Sequence, residues 1–181
     1  MSNENISSAK ERILNVAGPL FYREGYRAIG VDRVIAEADV AKATFYKHFP
    51  SKDDLIVAWI NRAEAKSRVN LPPEDGAHPL TDYVLAMIKI ARGSSCMGCT
   101  YQGTAAEFAD TAHPAHGAAL AVKGRVLEDL QRLAQLQKQI DPQATAERVF
   151  LLLEGVWASV RMFGQAAPLA QAEAAFARML D

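Results

Sequence analysis

Residues 40–52, VAKATFYKHFPSK, carry Lys42, Lys47, Lys52 and His48 and no acid. Thr44 and Tyr46 add hydroxyl groups to the same stretch. Ammonium and hydroxyl donors are the groups that meet phosphate oxygens and base edges, and a run of one sign is the first footprint of a polyanion-binding surface. The alternative is a solvated helix face without a partner. A second constellation is Cys96-Met97-Gly98-Cys99. Such a C-x-x-C serves as half a zinc site, as a redox pair, or as two buried small hydrophobes. Zinc takes about four ligands. His113 and His116 could complete a set, but Pro114 between them works against a shared face, so no metal site is expected. Asp53-Asp54 and Glu128-Asp129 are adjacent pairs that point to different faces of a helix and read as solvated charge. There is no nucleophile elbow, no Gly-rich phosphate loop and no His-Glu zinc helix. No catalytic residue, enzymatic activity or cofactor is therefore expected.

The chain around these residues has 181 positions, half of them hydrophobic and 23% charged, enough apolar content for a packed core. Its 20 Lys and Arg nearly balance 21 Asp and Glu, which excludes a uniformly basic coat for nucleic acid. The balance is uneven along the chain. Residues 1–68 hold 11 basic against 9 acidic side chains, and the remainder 9 against 12. No run approaches the ~18 apolar residues of a membrane span, and MSNENISSAKER has no apolar stretch of a secretory signal. With only two cysteines, no disulfide scaffold is expected, and the reducing cytoplasm is the expected compartment.

The positioning elements read as helices nearly throughout. Ile13, Ala17, Leu20 and Phe21 form one stripe, with Ser7 or Ser8 as cap, Glu11 completing a capping box and Gly25 at the end. Pro19 inside this helix predicts a kink near 15–19 or a break. A short helix follows over 31–38 with Gly30 at its start, then Asp39 in the left-handed region, then a third helix over 41–48 ended by Phe49-Pro50. Ser51 caps a fourth helix. Residues 70–79 contain three prolines and one glycine, a boundary that no helix crosses. Beyond it, Leu80, Val84, Met87, Ile88 and Ala91 form a stripe. A helix is expected over 101–109. A longer one follows, with Val126, Leu127, Leu130, Leu133 and Leu136 on its buried side. Asp141-Pro142 opens an apolar helix to about 165, and Pro168 opens an alanine-rich last helix. The fold class is all-α, about nine helices. An N-terminal three-helix module spans 1–52, helix four (52–69) connects, and a C-terminal helical domain spans 70–181.

Two short helices around Asp39, with Val34, Ala38, Val40 and Phe45 behind them, are the parts of a helix-turn-helix. Residues 13–56, above all KATFYKHFPSKDDL at 42–55, resemble the DNA-binding domain of the TetR family of bacterial transcriptional regulators. The resemblance implies an operator-binding module in which Thr44 reaches the groove or its phosphates. Tyr46 then contacts a phosphate, and Lys52 meets the backbone from the start of helix four. Lys42, Ala43, Lys47 and His48 lie on the same element, while Phe45 and Phe49 are core. Asp39, Ala41, Ala43 and Gly30 stand where the family usually has Gly, Ser, Gly and Thr, which affects the operator sequence rather than the binding mode.

The resemblance further implies a homodimer through the last two helices on a palindromic operator, with an effector bound in the C-terminal domain. Val149, Leu152, Leu153, Val156, Trp157, Val160 and Phe163 cover more than one face of a helix, as burial on two sides requires. Met87, Cys99, Tyr101, Phe108, Trp157 and Phe163 are the candidate lining of a small, apolar or aromatic effector site, each also readable as plain core. Cys96 and Cys99 are taken as structural thiols. The alternative is oxidation or electrophile modification at Cys99, which precedes a helix start that favours thiolate. Gly98-Cys99, followed by a helix with Glu107, resembles the same stretch of an electrophile-sensing member of the family. Outside regulation, the remaining reading is a non-catalytic helical interaction protein.

Overall fold

The computed structural model describes residues 8–69 and 71–180. Ser7, the alternative first cap, lies outside them. Among the described residues the fold is all-helical, with nine α-helices and one short 3-10 turn: α1 (Ala9–Glu24), α2 (Val31–Glu37), α3 (Lys42–His48), α4 (Lys52–Val69), α5 (Pro79–Ala91), α6 (Thr100–Glu107), α7 (Pro114–Leu136), α8 (Pro142–Phe163) and α9 (Leu169–Leu180), the turn being Gly164–Ala166. None of them is long and apolar enough to cross a membrane. Packing divides the chain into two compact units, one of Met1–Ala65 with Thr100–Leu120, the other of Lys66–Cys99 with Ala121–Asp181. Packing thus does not follow chain order, since α6 joins the helices of the N-terminal module.

In the first unit, Ser8 caps α1 by accepting the Glu11 N–H at 3.2 Å. Ile13, Leu14, Ala17, Leu20 and Phe21 are buried along it. The helix is not broken at Pro19, one of the two outcomes expected there: α1 is continuous from Ala9 to Glu24. Asn15 and Pro19 are both exposed, so the carbonyl that loses its helical partner can be met by solvent. Gly18 lies close against Trp59 of α4: a Cβ there would lie 2.0 Å from Trp59 Nε1. Trp59 is held edge-on by Phe21 and Tyr26, at centroid distances of 6.2 and 6.0 Å. Ser51 caps α4 by accepting the Asp54 N–H at 3.1 Å, and Leu55, Ile56 and Ile60 are buried.

In the second unit, α5 buries Leu80, Val84, Met87, Ile88 and Ala91, the stripe expected from sequence. Gln137 Oε1 accepts the N–H groups of Leu80 and Thr81 at 3.0 Å each, which satisfies orphan donors at the start of α5. Asp141 caps α8 through the Ala144 N–H at 3.0 Å. Leu130, Leu133, Val149, Leu153, Val156, Val160, Leu169 and Phe176 complete the core. Leu136 departs from expectation and is half exposed. Each i+3 step turns about 60° short of a full helical turn, so three steps from Leu127 carry Leu136 to the opposite face. Asp129 bridges Arg68 and Arg132, at 2.8 Å to each, and Arg132 also pairs with Glu74 of the 71–78 loop.

Gly18→Ala should lower stability by about 1–3 kcal/mol, because the added methyl displaces an indole already packed on two rings. That outweighs the roughly 1 kcal/mol that alanine gains over glycine in a helix. Equilibrium urea unfolding measures the difference, and an unchanged midpoint would contradict the close approach.

Candidate nucleic-acid interface

A seven-residue helix does not hold itself in water; α3 stands because one side of it is core. Phe45 is fully buried and Phe49 is 2% exposed, with their rings 6.0 Å apart. Val34 and Ala38 close the same small core, and Val40 is half-buried beside it. Around this anchor the remaining positions turn outward. Lys42, Ala43, Tyr46 and Lys47 are exposed, and Thr44 and His48 are half-exposed. All the residues read from sequence on α3 therefore lie off the buried side. Tyr46, 40% exposed, rests its ring edge-on against Phe45 at 5.2 Å and so presents its hydroxyl from a fixed base.

The turn before α3 is held from outside. Asp39 adopts φ 50°, a left-handed conformation that costs an L-residue on the order of 1 kcal/mol. Arg12 of α1 donates to the carbonyls of Ala38 and Asp39 at 3.3 and 3.2 Å, placing a cation at the C-terminal end of α2. This contact compensates for the absent turn glycine. Its sequence signal is only an arginine one helix away.

Lys52, the first residue of α4, is half-buried. Burial pushes its ammonium pKa down, while the charges of Glu107 and Asp53 act in the opposite direction. Asp53 in turn lies 3.5 Å from His113 Nε2. The His113 ring is stacked 4.2 Å from Phe108, and its Nδ1 accepts the Ala115 N–H at 3.2 Å, which leaves Nε2 as the protonated nitrogen. Lys42 donates to Asp32 of α2 at 3.3 Å. Arg33 is clamped by Glu24 and Glu37 at 2.6 and 2.8 Å. Asp32, Glu107 and His113 are the residues that sequence spacing did not bring together with Lys42, Lys52 and Asp53, because the first two arrive from other helices and His113 from the loop before α7.

The α1–α2 turn is also tied to α6. Glu107 accepts the Tyr26 N–H at 2.9 Å and the Arg27 N–H, and the Tyr26 hydroxyl bonds Thr104 at 2.6 Å in a buried contact. Gly25 carries φ 87° directly beneath the Glu107 carboxylate.

Residues 13–59 match the sequence profile described as "Bacterial regulatory proteins, tetR family". The HTH-type transcriptional repressor KstR of Rhodococcus jostii is 34% identical over 94 residues, 51% of this chain and 43% of that protein. The HTH-type transcriptional regulator LmrA of Bacillus subtilis is 30% identical over 94 residues, 51% of this chain and 49% of that protein. The chain thus spans less than half the length of these curated relatives. A crystal structure of a TetR-family transcriptional regulator from Streptomyces coelicolor is matched almost end to end. It is 30% identical, with a TM-score of 0.82 over 95% of this chain and 94% of that one. The chain belongs to the TetR family. TetR membership makes it a transcriptional regulator and not an enzyme, and the exposed side of α3 is the second half of its helix-turn-helix.

The other candidate residues are scattered. Met87 is in the second unit's core, and Trp157 is partly buried against it. Tyr101 is half-buried on α6, and Phe163, at the end of α8, is 57% exposed. Phe108 belongs to the first unit and packs 5.5 Å from Tyr26. Cys99 is buried and Cys96 partly so, with no disulfide between them. A cleft of about 600 Å³ in the second unit is lined by His78, Gln137, Lys138, Ile140, Arg148 and Met179, none of them among the candidates. Among the described residues, no group of three or more His, Cys, Asp or Glu is arranged to hold a metal ion.

Lys52→Ala should weaken binding to every duplex alike and lower the salt slope by about 1 per protomer, as loss of a phosphate contact does. Titrations at several salt concentrations measure this, and a change in base preference would mean that Lys52 reads sequence instead.

Proposed function

We propose that the chain is a homodimeric transcriptional repressor that holds a palindromic operator through two copies of α3 and is released by a small effector. The observation that carries this is the division of α3, with Phe45 and Phe49 inward and Lys42, Thr44, Tyr46, Lys47 and His48 turned outward. Thr44 and Tyr46 meet phosphates, and Lys42, Ala43, Lys47 and His48 face base edges in the major groove. Lys52 adds a backbone contact. One such helix touches few bases. Two related by a dyad read half-sites roughly 34–36 Å apart.

A dimer face is available on α8. Val149, Leu153, Val156 and Val160 point into the unit's own core. Leu151, Gly155, Ala158 and Met162 recur at helical spacing on the exposed side, where Leu151 is 68% and Met162 75% exposed. A Cβ at Gly155 would meet nothing within 4 Å, so a partner helix can approach closely there. The exposed alanines of α9, Ala170 and Ala177, extend this face. The chain works in the cytoplasm, with its DNA.

The effector is a small apolar or aromatic molecule bound in the C-terminal domain. It acts by preferring a conformation with lower operator affinity, and its effect equals that difference in affinity. Glu107 supports a route for it. The last residue of α6 holds the two N–H groups that lead from α1 toward α2, so displacement of α6 loads the helix-turn-helix directly. A second reading rests on Cys99, the residue before α6, whose carbonyl is held by Arg161 at 3.2 Å. Oxidation or electrophile addition there, with or without Cys96, would act through the same helix.

A gel shift against DNA flanking the chain's own gene tests the core reading. Failure to shift any duplex would leave a helical interaction protein. Leu151→Glu combined with Met162→Glu should yield a monomer by sedimentation and lose most operator affinity. If peroxide releases the operator equally well from wild type and Cys99→Ser, the cysteine reading is wrong.

A further inference from the structure

The stretch 40–52 has no acid of its own, yet the fold supplies one. Asp32, in the first turn of α2, places its carboxylate 3.3 Å from the ammonium of Lys42, the first residue of α3, with the side chains 80% and 66% exposed. Folding does not account for the pair, because an ion pair this exposed contributes little to stability. We propose that Asp32 is a positioning residue for Lys42: it directs the ammonium to a base edge and cancels its attraction for phosphate. This rests on the reading of α3 as a recognition helix.

An isolated lysine is a compact point charge on a flexible stem, and it neutralises whichever phosphate is nearest. Non-specific affinity is built from such neutralisations, each releasing counterions. A carboxylate 3.3 Å away removes most of the net charge but not the donors. The ammonium has three N–H groups. One bonds Asp32 and restricts the direction of the others, which suit the O6 and N7 acceptors of guanine in the major groove. The pair therefore loses attraction for random sequence and keeps it for a guanine correctly placed. Arg33, on the same helix as Asp32, is likewise occupied, by Glu24 and Glu37. Cations on α2 and at the start of α3 are thus withheld from the backbone, and phosphate contact is left to Thr44, Tyr46 and Lys52.

The test uses the duplex that the wild-type chain selects from a random pool and a mixed-sequence duplex of the same length. Both are titrated at several salt concentrations with wild type, Asp32→Asn, Lys42→Ala and the double variant. Asp32→Asn should bind the mixed-sequence duplex about 3–10-fold tighter, with a salt slope steeper by about 1 per protomer, as one regained phosphate contact requires. It should gain less on the selected duplex, and a repeated selection should show a weaker guanine preference at one symmetric pair of positions. In the Lys42→Ala background, Asp32→Asn should change none of these. An equal gain on both duplexes, the same gain without Lys42, or no change at all would overturn the proposal. If wild type selects no sequence from the pool, the recognition-helix reading itself fails and the proposal fails with it.

Discussion

The burial of Phe45 is the contact on which the rest of the DNA-facing unit depends. A seven-residue helix has too few internal hydrogen bonds to persist alone, so the direction of α3 is set by what its one fully buried side chain is packed against. Phe49 extends that anchor past the helix end, and Val34 and Ala38 close it from α2. Once Phe45 is inward, helical geometry leaves no choice for its neighbours. Ala43, Tyr46 and Lys47, roughly 100° or more around the helix, must face solvent, and Lys42 is exposed at the helix start. The readout surface is thus a by-product of core packing. The side chains that would touch DNA vary freely without moving the helix, whereas a cavity at Phe45 would move all of them together.

Charge obeys the same economy of placement. The chain as a whole is close to neutral, and its basic N-terminal part exceeds neutrality by little. Concentration on a surface, not total charge, has to supply any attraction for a polyanion. The fold refines this further by setting acids beside three of its cations. Asp32 meets Lys42, Glu24 and Glu37 hold Arg33, and the charges of Glu107 and Asp53 act on Lys52. A surface arranged in this way depends on hydrogen-bond direction more than on net charge, which is the property that separates sequence recognition from coating.

Much of this was legible in the sequence because it is local. Caps at Ser8, Ser51 and Asp141, the left-handed Asp39 and the stripe from Leu80 to Ala91 all follow from residues within a turn or two of each other. Thr44 and Tyr46 were singled out by the ordered motif that resembles the family, and Lys42, Lys47 and His48 by the acid-free run that holds them. What escaped was non-local or depended on phase. Leu136 continued an apolar series in the sequence, but i+3 steps drift around the helix, and the series ran off the core. Pro19 was expected to kink or break α1; the helix is unbroken, with Pro19 on the solvent side, where water can meet the freed carbonyl. Asp32, Arg12 and Glu107 reach the neighbourhood of α3 and Lys52 from other helices and His113 from the loop before α7, and no spacing rule connects residue 107 to residue 26.

That last pairing has a mechanical consequence. Two N–H groups in the α1–α2 turn have a single carboxylate as acceptor, and the Tyr26 hydroxyl is bound in a buried contact to Thr104. Removing that acceptor would leave the part-buried Tyr26 N–H to find water, at a cost of about 1–3 kcal/mol, while the exposed Arg27 N–H would meet solvent. Helix α6 is therefore coupled to the turn by the penalty for separating them as well as by attraction. A helix whose N-terminus follows Cys99 and whose C-terminus holds the start of the helix-turn-helix cannot shift at one end without straining the other. The proline-rich segment after α4 looks in sequence like the joint between two functions. In the packed chain, α6 belongs with α1 to α3, so a displacement of its first turn is already inside the unit that holds the helix-turn-helix.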